Sequence, residues 1–304
     1  MSTPGQPATA AVTSSPLGSL PRRIALYSLW CVAIGLLFFA PLARLFNYAL
    51  SNDNASHAIL IPAICVWLLF LERGRIFTSL DCDLPSALAL LIAGTAAAAA
   101  FFAYAPRLGE VNQLSLCALA LVLLWVAGFA FFFGRASLLR ARFALTFLLF
   151  TIPIPDFLLD KTIYLLQKGT TEIAAVLFDW SGVPVLREGF VFHLSRVSIE
   201  VARECSGIRS SLALIILAIL AAHFCLRTFW RQLVLVLAGL FVMLLKNAIR
   251  IVTLTLLAVY VDPGFLYGRL HHEGGVVFFL IGLAMLAPLL WWLERREPKR
   301  SQAT

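Results

Sequence analysis

The sequence predicts an all-α polytopic membrane protein of about eight transmembrane helices, with a small extracytoplasmic helix-plus-hairpin insertion before the sixth. Three observations support this fold class. The chain of 304 residues is 61% hydrophobic and 13% charged, whereas a soluble domain carries about twice that charged fraction. Its apolar residues lie in blocks that approach the roughly 20 residues a helix needs to cross a bilayer. Basic residues gather at the ends of alternate blocks, as membrane topology requires.

The apolar blocks follow a tail rich in Ser, Thr, Pro, Gly and Ala. Residues 1–21 are predicted to be a disordered cytoplasmic tail, because they lack the apolar residues of a packed core. They do not read as a signal peptide, since the first apolar run is too long. A transmembrane domain is predicted for 22–293 and a basic cytoplasmic tail for 294–304. The predicted spans are 24–46, 58–71, 85–104, 114–133, 138–153, 206–225, 232–260 and 275–293.

The distribution of basic residues predicts that both termini lie in the cytoplasm. With the N-terminus inside, the even-numbered links are short and rich in Arg and Lys, for example Arg73 and Arg75, or Arg227 and Arg231. The short outer links are poorer in basic residues, which satisfies the positive-inside rule. The predicted location is therefore the bacterial inner membrane, and the long link 156–204 falls on its extracytoplasmic face.

The link 156–204 is predicted to contain a helix followed by a small β-structure. Four charged residues recur at four-residue steps or multiples: Asp156, Asp160, Lys168 and Glu172. They place a narrow charged stripe on an otherwise apolar helix, which is typical of an interfacial helix; insertion into the membrane is the alternative. In 183–201 apolar and polar residues alternate around Glu188-Gly189, which predicts a hairpin or meander.

Several function classes are disfavoured by composition and spacing. The net charge of +8 comes from basic residues scattered at block ends, without the basic stripe of a nucleic-acid binder. None of the six cysteines forms a CxxC pair, and most lie in apolar blocks, which argues against a disulfide framework and against zinc. Neither a phosphate loop nor paired carboxylates suited to phosphoryl transfer are present. We therefore predict no metal and no cofactor.

Three polar sites converge at one membrane depth in this topology. Cys205 lies at the outer start of the sixth span. Arg250 lies late in the seventh span, about 27 Å along a helix that starts at Gln232, and thus near the outer interface. His271 and His272 open the link into the eighth span, also outside. Charged residues within or beside spans are costly, which makes them functional candidates.

A Cys, a His and an Arg are sufficient for acyl transfer through a thioester. A thiolate is stabilised at a helix N-terminus and near a cation. A histidine can accept the thiol proton and return one to the leaving amine, and an arginine can stabilise the oxyanion of a tetrahedral intermediate. Each residue type also has an ordinary role, in packing, snorkelling or an interfacial loop. It is their convergence that favours an enzyme.

Three motifs carry a resemblance to a known family. Residues 201–210 read Val-Ala-Arg-Glu-Cys-Ser-Gly-Ile-Arg-Ser, residues 247–250 read Asn-Ala-Ile-Arg, and residues 271–275 read His-His-Glu-Gly-Gly. They resemble the nucleophile, arginine and histidine motifs of the exosortase/archaeosortase family, membrane-embedded transpeptidases analogous to Gram-positive sortases. The resemblance runs from about residue 42 to residue 293.

The resemblance implies roles for individual residues. Cys205 would be the nucleophile, Arg250 the essential arginine and His271 the catalytic histidine, since a glycine four residues later opens the last span. The pair Ser56-His57 resembles a Ser-His-Gly feature of the family, although Ala58 stands in place of the glycine. The candidate supporting residues are His272, Asn247, Glu204, Ser206, Gly207 and His57.

The resemblance also implies the reaction and the partners. Substrates would be secreted proteins whose C-terminal sorting signal combines a short Pro-containing motif, a transmembrane helix and a basic cluster. The enzyme would cleave at the motif and transfer the acyl group to an acceptor in the envelope, in a setting often associated with exopolysaccharide. The lipid bilayer is the remaining expected partner, and nucleic acid is not expected.

Two alternatives remain at the level of the sequence. A non-enzymatic polytopic protein, such as a transporter or a polysaccharide-export component, would explain the composition equally well. Transporters usually show an internal repeat or paired broken helices at the midplane, and neither is visible here. An intramembrane cysteine protease that only hydrolyses is the second alternative, because hydrolysis and transfer proceed through the same acyl-enzyme.

Overall fold

The computed structural model describes residues 18–52, 55–195, 197–201, 208–266 and 275–297. Over these ranges the chain is helical apart from one small sheet, which confirms the predicted polytopic all-α class. The chain divides into two compact units, Met1–Pro155 and Asp156–Thr304. The helices of the first unit are α1 (Leu20–Leu37), α2 (Phe39–Ser51), α3 (Leu60–Leu71), α4 (Arg73–Ile76), α5 (Leu84–Tyr104), α6 (Glu110–Arg140) and α7 (Arg142–Phe147). Those of the second are α8 (Asp156–Ser181), α9 (Ile208–Cys225), α10 (Phe229–Tyr260) and α11 (Gly275–Arg295).

Five of the described helices are long and apolar enough to cross a membrane: α1, α5, α6, α10 and α11. A sixth is added if Arg142–Thr151 and Asp156–Ser181 are counted together as one broken span. Shorter apolar helices, Ser56–Leu71 and Ser210–Cys225, coincide with the second and sixth predicted spans. The chain is therefore a multi-pass membrane protein, and the total of eight spans stays a prediction.

The first predicted span, 24–46, is wrong as a single helix. The chain leaves helical geometry at Phe38, which divides the segment into α1 and α2. Pro41 explains the break, because a proline has no N–H to donate and its ring clashes with the carbonyl four residues earlier. That carbonyl belongs to Leu37, where α1 ends.

The predicted span 138–153 is also wrong as one continuous helix. Residues 138–140 belong to α6, and α7 is followed by a short 3-10 turn, Leu148–Thr151. The helix stops there because Ile152 precedes Pro153 and takes an extended conformation, with φ −77° and ψ 119°. A residue before proline is disfavoured in helical geometry.

A kink in α6 at Gly134 marks the end of the predicted span 114–133. Gly134 has φ 78°, a conformation that side chains other than glycine rarely adopt. A Cβ at this position would lie 2.8 Å from the carbonyl carbon of Asp81. The kink therefore requires glycine both for its backbone angles and for the close approach of the α4–α5 link.

Arg23 joins α1 to this kinked region. Its side chain is fully buried, at 0% exposure. Its Nη1 donates to the carbonyl oxygens of Asp81 and Phe132 at 2.7 and 2.8 Å, and its Nε donates to Gly18 at 3.3 Å. Arg23, which directly precedes the first predicted span, thus links α1 to α6 and to the α4–α5 link inside the first unit.

The small sheet of the second unit confirms the meander predicted for 183–201. Its strands β1 (Leu186–Glu188), β2 (Val191–His193) and β3 (Ser198–Glu200) pair antiparallel in that order. Gly189, with φ 61°, begins the two-residue turn between β1 and β2, where a positive φ is needed. The extracytoplasmic location of this sheet stays a prediction.

The sheet packs on α8 and α10 through an apolar core. Phe192 of β2 is buried against Phe178 of α8, with ring centroids 5.1 Å apart, and Ala248 of α10 belongs to the same cluster. On the charged stripe of α8, Glu172 forms a two-point ion pair with Arg187 of β1, which raises the pKa of Arg187. One member of the charged stripe therefore pairs with the sheet while remaining exposed.

Candidate active site

The predicted site residues divide into two groups. Arg250, Asn247 and His57 lie in described parts of the chain. The remaining predicted residues lie outside the described ranges: Cys205, His271, His272, Glu204, Ser206 and Gly207. The structure describes the surroundings of the first group. It also describes the residues that flank the segments of the second group.

Helix α10 presents the arginine motif far from the start of the helix. Arg250 lies 21 positions after Phe229, which corresponds to roughly 32 Å along a helix axis. This is close to the thickness of the hydrocarbon core, about 30 Å. The structure shows α10 as one helix that continues beyond Arg250 to Tyr260; the depth of Arg250 in the membrane and the side on which it lies stay predictions.

Asn247 lies in a buried contact between α10 and α8. Its side chain is 2% exposed, and that of Thr170 on α8 is 1% exposed. Asn247 Nδ2 donates to Thr170 Oγ1 at 3.4 Å. Its Oδ1 is buried and has no hydrogen-bond partner among the described residues. Because a buried acceptor normally finds a donor, this oxygen points to a donor from another part of the chain or from a bound group.

Lys246, the residue before Asn247, is also buried, with 2% exposure. Its Nζ donates to Ser210 Oγ at 2.6 Å. Ser210 lies in the first turn of α9, five positions after Cys205. Arg250, one helical turn further along α10, is close enough for its positive charge to act on Lys246. Two cations thus lie together beside the start of the helix that follows Cys205.

The chain is fixed on the other side of Cys205 by a glutamine. Gln167 on α8, 7% exposed, donates from Nε2 to the carbonyl oxygen of Val201 at 2.8 Å. The N–H of Val201 donates to the carbonyl of Phe190 at 2.9 Å, and the Val201 side chain is fully buried. The last described residue before 202–207 is therefore held by hydrogen bonds through both of its backbone groups.

These contacts define what the site can do chemically. The segment 202–207, which carries Cys205, follows Val201 and leads into α9. Gln167 holds Val201, and Lys246 bonds the first turn of α9. Its ends are held by α8 and α10, the helices that also contribute Thr170 and Asn247. Buried cations favour an anion nearby, such as a thiolate or an oxyanion. The arrangement is suited to anionic intermediates.

His57 occupies a different environment in the first unit. It lies half-buried in the 3-10 turn Ser56–Ile59 and forms a hydrogen bond with the backbone of Phe150. This contact joins the 3-10 turn of His57 to the 3-10 turn Leu148–Thr151, which follows α7. The supporting role predicted for His57 stays a prediction.

Three buried polar residues near the site were not predicted from the sequence: Lys246, Gln167 and Thr170. A lysine within the apolar run 232–260 was a usable signal, because intramembrane charges are rare and tend to be functional. Gln167 and Thr170 carry no charge, and a glutamine or a threonine in a helix gives no sign of its partner. Only packing identifies them.

Comparison with models of protein families gives a match. The family model described as transmembrane exosortase matches residues 49–288, which is more than half of the chain. No curated protein and no solved structure matches the chain. The matched range includes the three predicted catalytic positions and the buried residues Lys246, Asn247, Gln167 and Thr170. Within the described ranges, no group of three or more His, Cys, Asp or Glu side chains is arranged to hold a metal ion.

Proposed function

Because this chain belongs to the transmembrane exosortase family, we propose that it is a cysteine transpeptidase acting on C-terminal sorting signals of secreted proteins. Cleavage takes place at the outer face of the bacterial inner membrane. The substrate presents a short Pro-containing motif, followed by a transmembrane helix and a basic cluster. The acceptor is an amine or similar nucleophile in the envelope.

The reaction proceeds in two acyl-transfer steps. His271 accepts the thiol proton of Cys205, and the thiolate attacks the scissile carbonyl. The tetrahedral intermediate collapses to a thioester as His271 returns the proton to the leaving amine. The acceptor then attacks the thioester, transfers its proton to the histidine and regenerates the thiol. Arg250 stabilises the oxyanion in both steps.

The observation that best supports this proposal is the polar contact between α10 and α9. Lys246 directly precedes the arginine motif of α10, and its ammonium bonds Ser210 in the first turn of the helix after Cys205. This contact supports a common site for the arginine motif and the nucleophile motif, which are about 40 residues apart in sequence. A catalytic role for both motifs requires such proximity.

Replacement of the nucleophile tests the proposal. Cys205→Ala is expected to abolish processing of a tagged reporter that carries the three-part signal, and Cys205→Ser nearly so, because a hydroxyl has too high a pKa for a histidine base to activate readily. Joint replacement of the other cysteines is the control and is expected to keep activity. These are Cys31, Cys65, Cys82, Cys117 and Cys225. Processing by Cys205→Ala would leave only a polytopic membrane protein, such as a transporter or export component.

Mass spectrometry of the mature reporter separates transfer from hydrolysis. Transfer leaves the mass of the acceptor on the new C-terminus, whereas a protease that only hydrolyses leaves a free carboxylate. We expect the acceptor mass. A free carboxylate in cells that contain the native envelope would favour the hydrolytic alternative.

Labelling from outside tests the proposed side of the membrane. A membrane-impermeant thiol reagent is expected to label Cys205, Asp262→Cys and His272→Cys, each as the single cysteine. The same reagent is expected to miss Phe229→Cys and Pro298→Cys until the membrane is opened. Labelling of positions 205 and 262 from opposite sides would contradict the common site.

A further inference from the structure

Lys246 has contacts that the proposed reaction does not yet use. We infer that Lys246 is a positioning residue for the proposed nucleophile: it holds the first turn of α9, which follows Cys205 in the sequence, against α10 and supplies a second positive charge beside that of Arg250. The inference rests on the proposed function, because it assigns a role around the same nucleophile. It is supported by the contacts of Lys246, a residue of α10, with α9 and α11, and by the burial of its ammonium group.

Lys246 lies where α9, α10 and α11 meet. Its Nζ bonds Ser210 of α9. Its aliphatic stem passes Gly282 of α11, where an added Cβ would lie 3.4 Å both from Lys246 Cδ and from Leu214 Cδ2 of α9. These helices are the ones that carry Arg250 or adjoin the segments of Cys205 and His271. One side chain therefore contacts all the elements whose ends form the proposed site.

The bond to Ser210 restrains the position of the nucleophile. Ser210 follows Cys205 by five residues, and five residues reach at most about 18 Å even when fully extended. Three of those residues, Ile208 to Ser210, are already helical, so the actual reach is shorter. Fixing the first turn of α9 against α10 thus limits how far Cys205 can lie from Arg250.

Packing alone does not explain a lysine at this position. An ammonium group is costly to bury, and the hydroxyl of Ser210 supplies no compensating negative charge. Arg250 adds a second positive charge nearby. A methionine would fill similar space without this penalty. Two cations together are favourable where an anion forms, and a thiolate is the anion that the proposed reaction produces in the neighbouring segment.

The decisive variant is Lys246→Met, which keeps the length of the side chain and removes both the charge and the donor. It is made in a background where Cys205 is the only cysteine. Processing of the tagged reporter, per inserted molecule, is expected to fall on the order of 10- to 100-fold. The pH midpoint for alkylation of Cys205 by iodoacetamide is expected to rise by about one unit, because a nearby cation stabilises the thiolate.

Two further variants separate charge from position. Ser210→Ala removes the acceptor but keeps the ammonium, so processing should fall while the alkylation midpoint stays near that of the wild type. Lys246→Arg keeps the charge, and so the midpoint, but its planar fork does not fit the same contact, so processing should still fall. This variant keeps the test decisive if Lys246→Met inserts poorly.

Thr255→Val is the matched control. Thr255 is also a buried polar residue of α10, at 0% exposure, and within the described part of the chain its hydroxyl bonds inside its own helix, to the carbonyl of Ile251. Processing and the alkylation midpoint should both remain unchanged. A wild-type midpoint in Lys246→Met, or equal losses in Lys246→Met and Thr255→Val, would overturn the role of Lys246. Neither result would affect the proposed function, which fails separately if Cys205→Ala retains processing.

Discussion

Two buried basic residues, one in each unit of the chain, show opposite patterns of contact. Arg23 in the first unit is 0% exposed and Lys246 in the second is 2% exposed. Arg23 donates to backbone carbonyls from three parts of the first unit, whereas Lys246 donates to the hydroxyl of Ser210. Next to Lys246, the buried Oδ1 of Asn247 has no hydrogen-bond partner among the described residues.

The difference separates a structural cation from a functional one. Carbonyl oxygens carry partial negative charge, and several of them around a guanidinium compensate for its removal from water. Arg23 therefore stabilises the packing of α1. Lys246 has less compensation within the described chain, and Arg250 adds positive charge. A buried positive charge with incomplete compensation is typical of a site where a further charged group takes part in the function.

The largest effect on this comparison is expected for Arg250→Lys. The variant should insert normally, because a lysine near the interface can snorkel and keep the charge. Processing should nevertheless fall on the order of 10²–10³, as when one oxyanion donor is lost, because an ammonium cannot reproduce the two fixed donors of a guanidinium. Processing of the reporter per inserted molecule is the measurement.

Arg269→Lys is the control for that experiment. Arg269 lies outside the Asn-x-x-Arg motif, and the change should be tolerated. If Arg250→Lys were tolerated equally well, Arg250 would be only an interfacial anchor. The buried and interfacial cations of the second unit would then be structural, like Arg23 in the first.

The second largest effect is expected for Arg23→Met, and on stability. Removing the guanidinium leaves the carbonyls of Asp81 and Phe132 without this donor, at about 1–3 kcal/mol for each buried acceptor left unsatisfied. The detergent-solubilised protein should unfold at a clearly lower temperature, while processing per folded molecule stays near that of the wild type. A selective loss of processing at unchanged thermal stability would show that Arg23 is not merely structural.

Gly134→Ala should destabilise the same region by a smaller amount, on the order of 1–3 kcal/mol. The new Cβ would meet the backbone of Asp81 at 2.8 Å, and φ is 78°. Gly35→Ala is the matched control, since its Cβ would meet nothing within 4 Å in a helix, and it should be neutral or stabilising. The measurement is the thermal unfolding temperature of the two variants. Equal unfolding temperatures would contradict the requirement for glycine at the kink.

The smallest effect is expected for Glu297→Gln. Glu297 follows α11, and its carboxylate contacts the residues at the start of α10. Glu297 Oε1 accepts from the N–H groups of Arg227 and Thr228 at 3.1 and 3.3 Å, and Arg231 Nη1 lies 3.2 Å from Oε2. Burial alone would raise the pKa of Glu297, but these donors outweigh it and lower the pKa. Losing this cap should reduce stability at neutral pH by about 1 kcal/mol.

The pH dependence of that loss gives a second check. A lowered pKa in the folded state means that the stabilisation is fully present above the unfolded value, about 4.3, and is lost as the pH falls through the folded value. The unfolding temperatures of wild type and Glu297→Gln should therefore differ at pH 7 and converge below about pH 4. Glu294→Gln, an exposed neighbour on the same helix end, should show no such difference.

Much of the fold could be predicted because hydrophobic periodicity and length are local properties. The apolar run 85–104 became α5, and the alternation around Glu188-Gly189 became an antiparallel meander. The single helices expected over 24–46 and 138–153 failed where Pro41 and Pro153 interrupt hydrogen bonding. Both prolines lie inside apolar runs, where hydropathy alone does not reveal them as breaks.

The candidate site was predictable only as motifs. The sequence by itself determined a multi-pass membrane chain of the exosortase type and the proposed roles of Cys205, Arg250 and His271. Only the tertiary structure decided that Lys246 bonds Ser210, that Gln167 holds Val201, and that Arg23 links α1 to α6. The physical reason is that a buried polar side chain requires a partner, and partners distant in sequence are chosen by packing. Residue type and spacing mark the need for such a bond but do not identify the group that satisfies it.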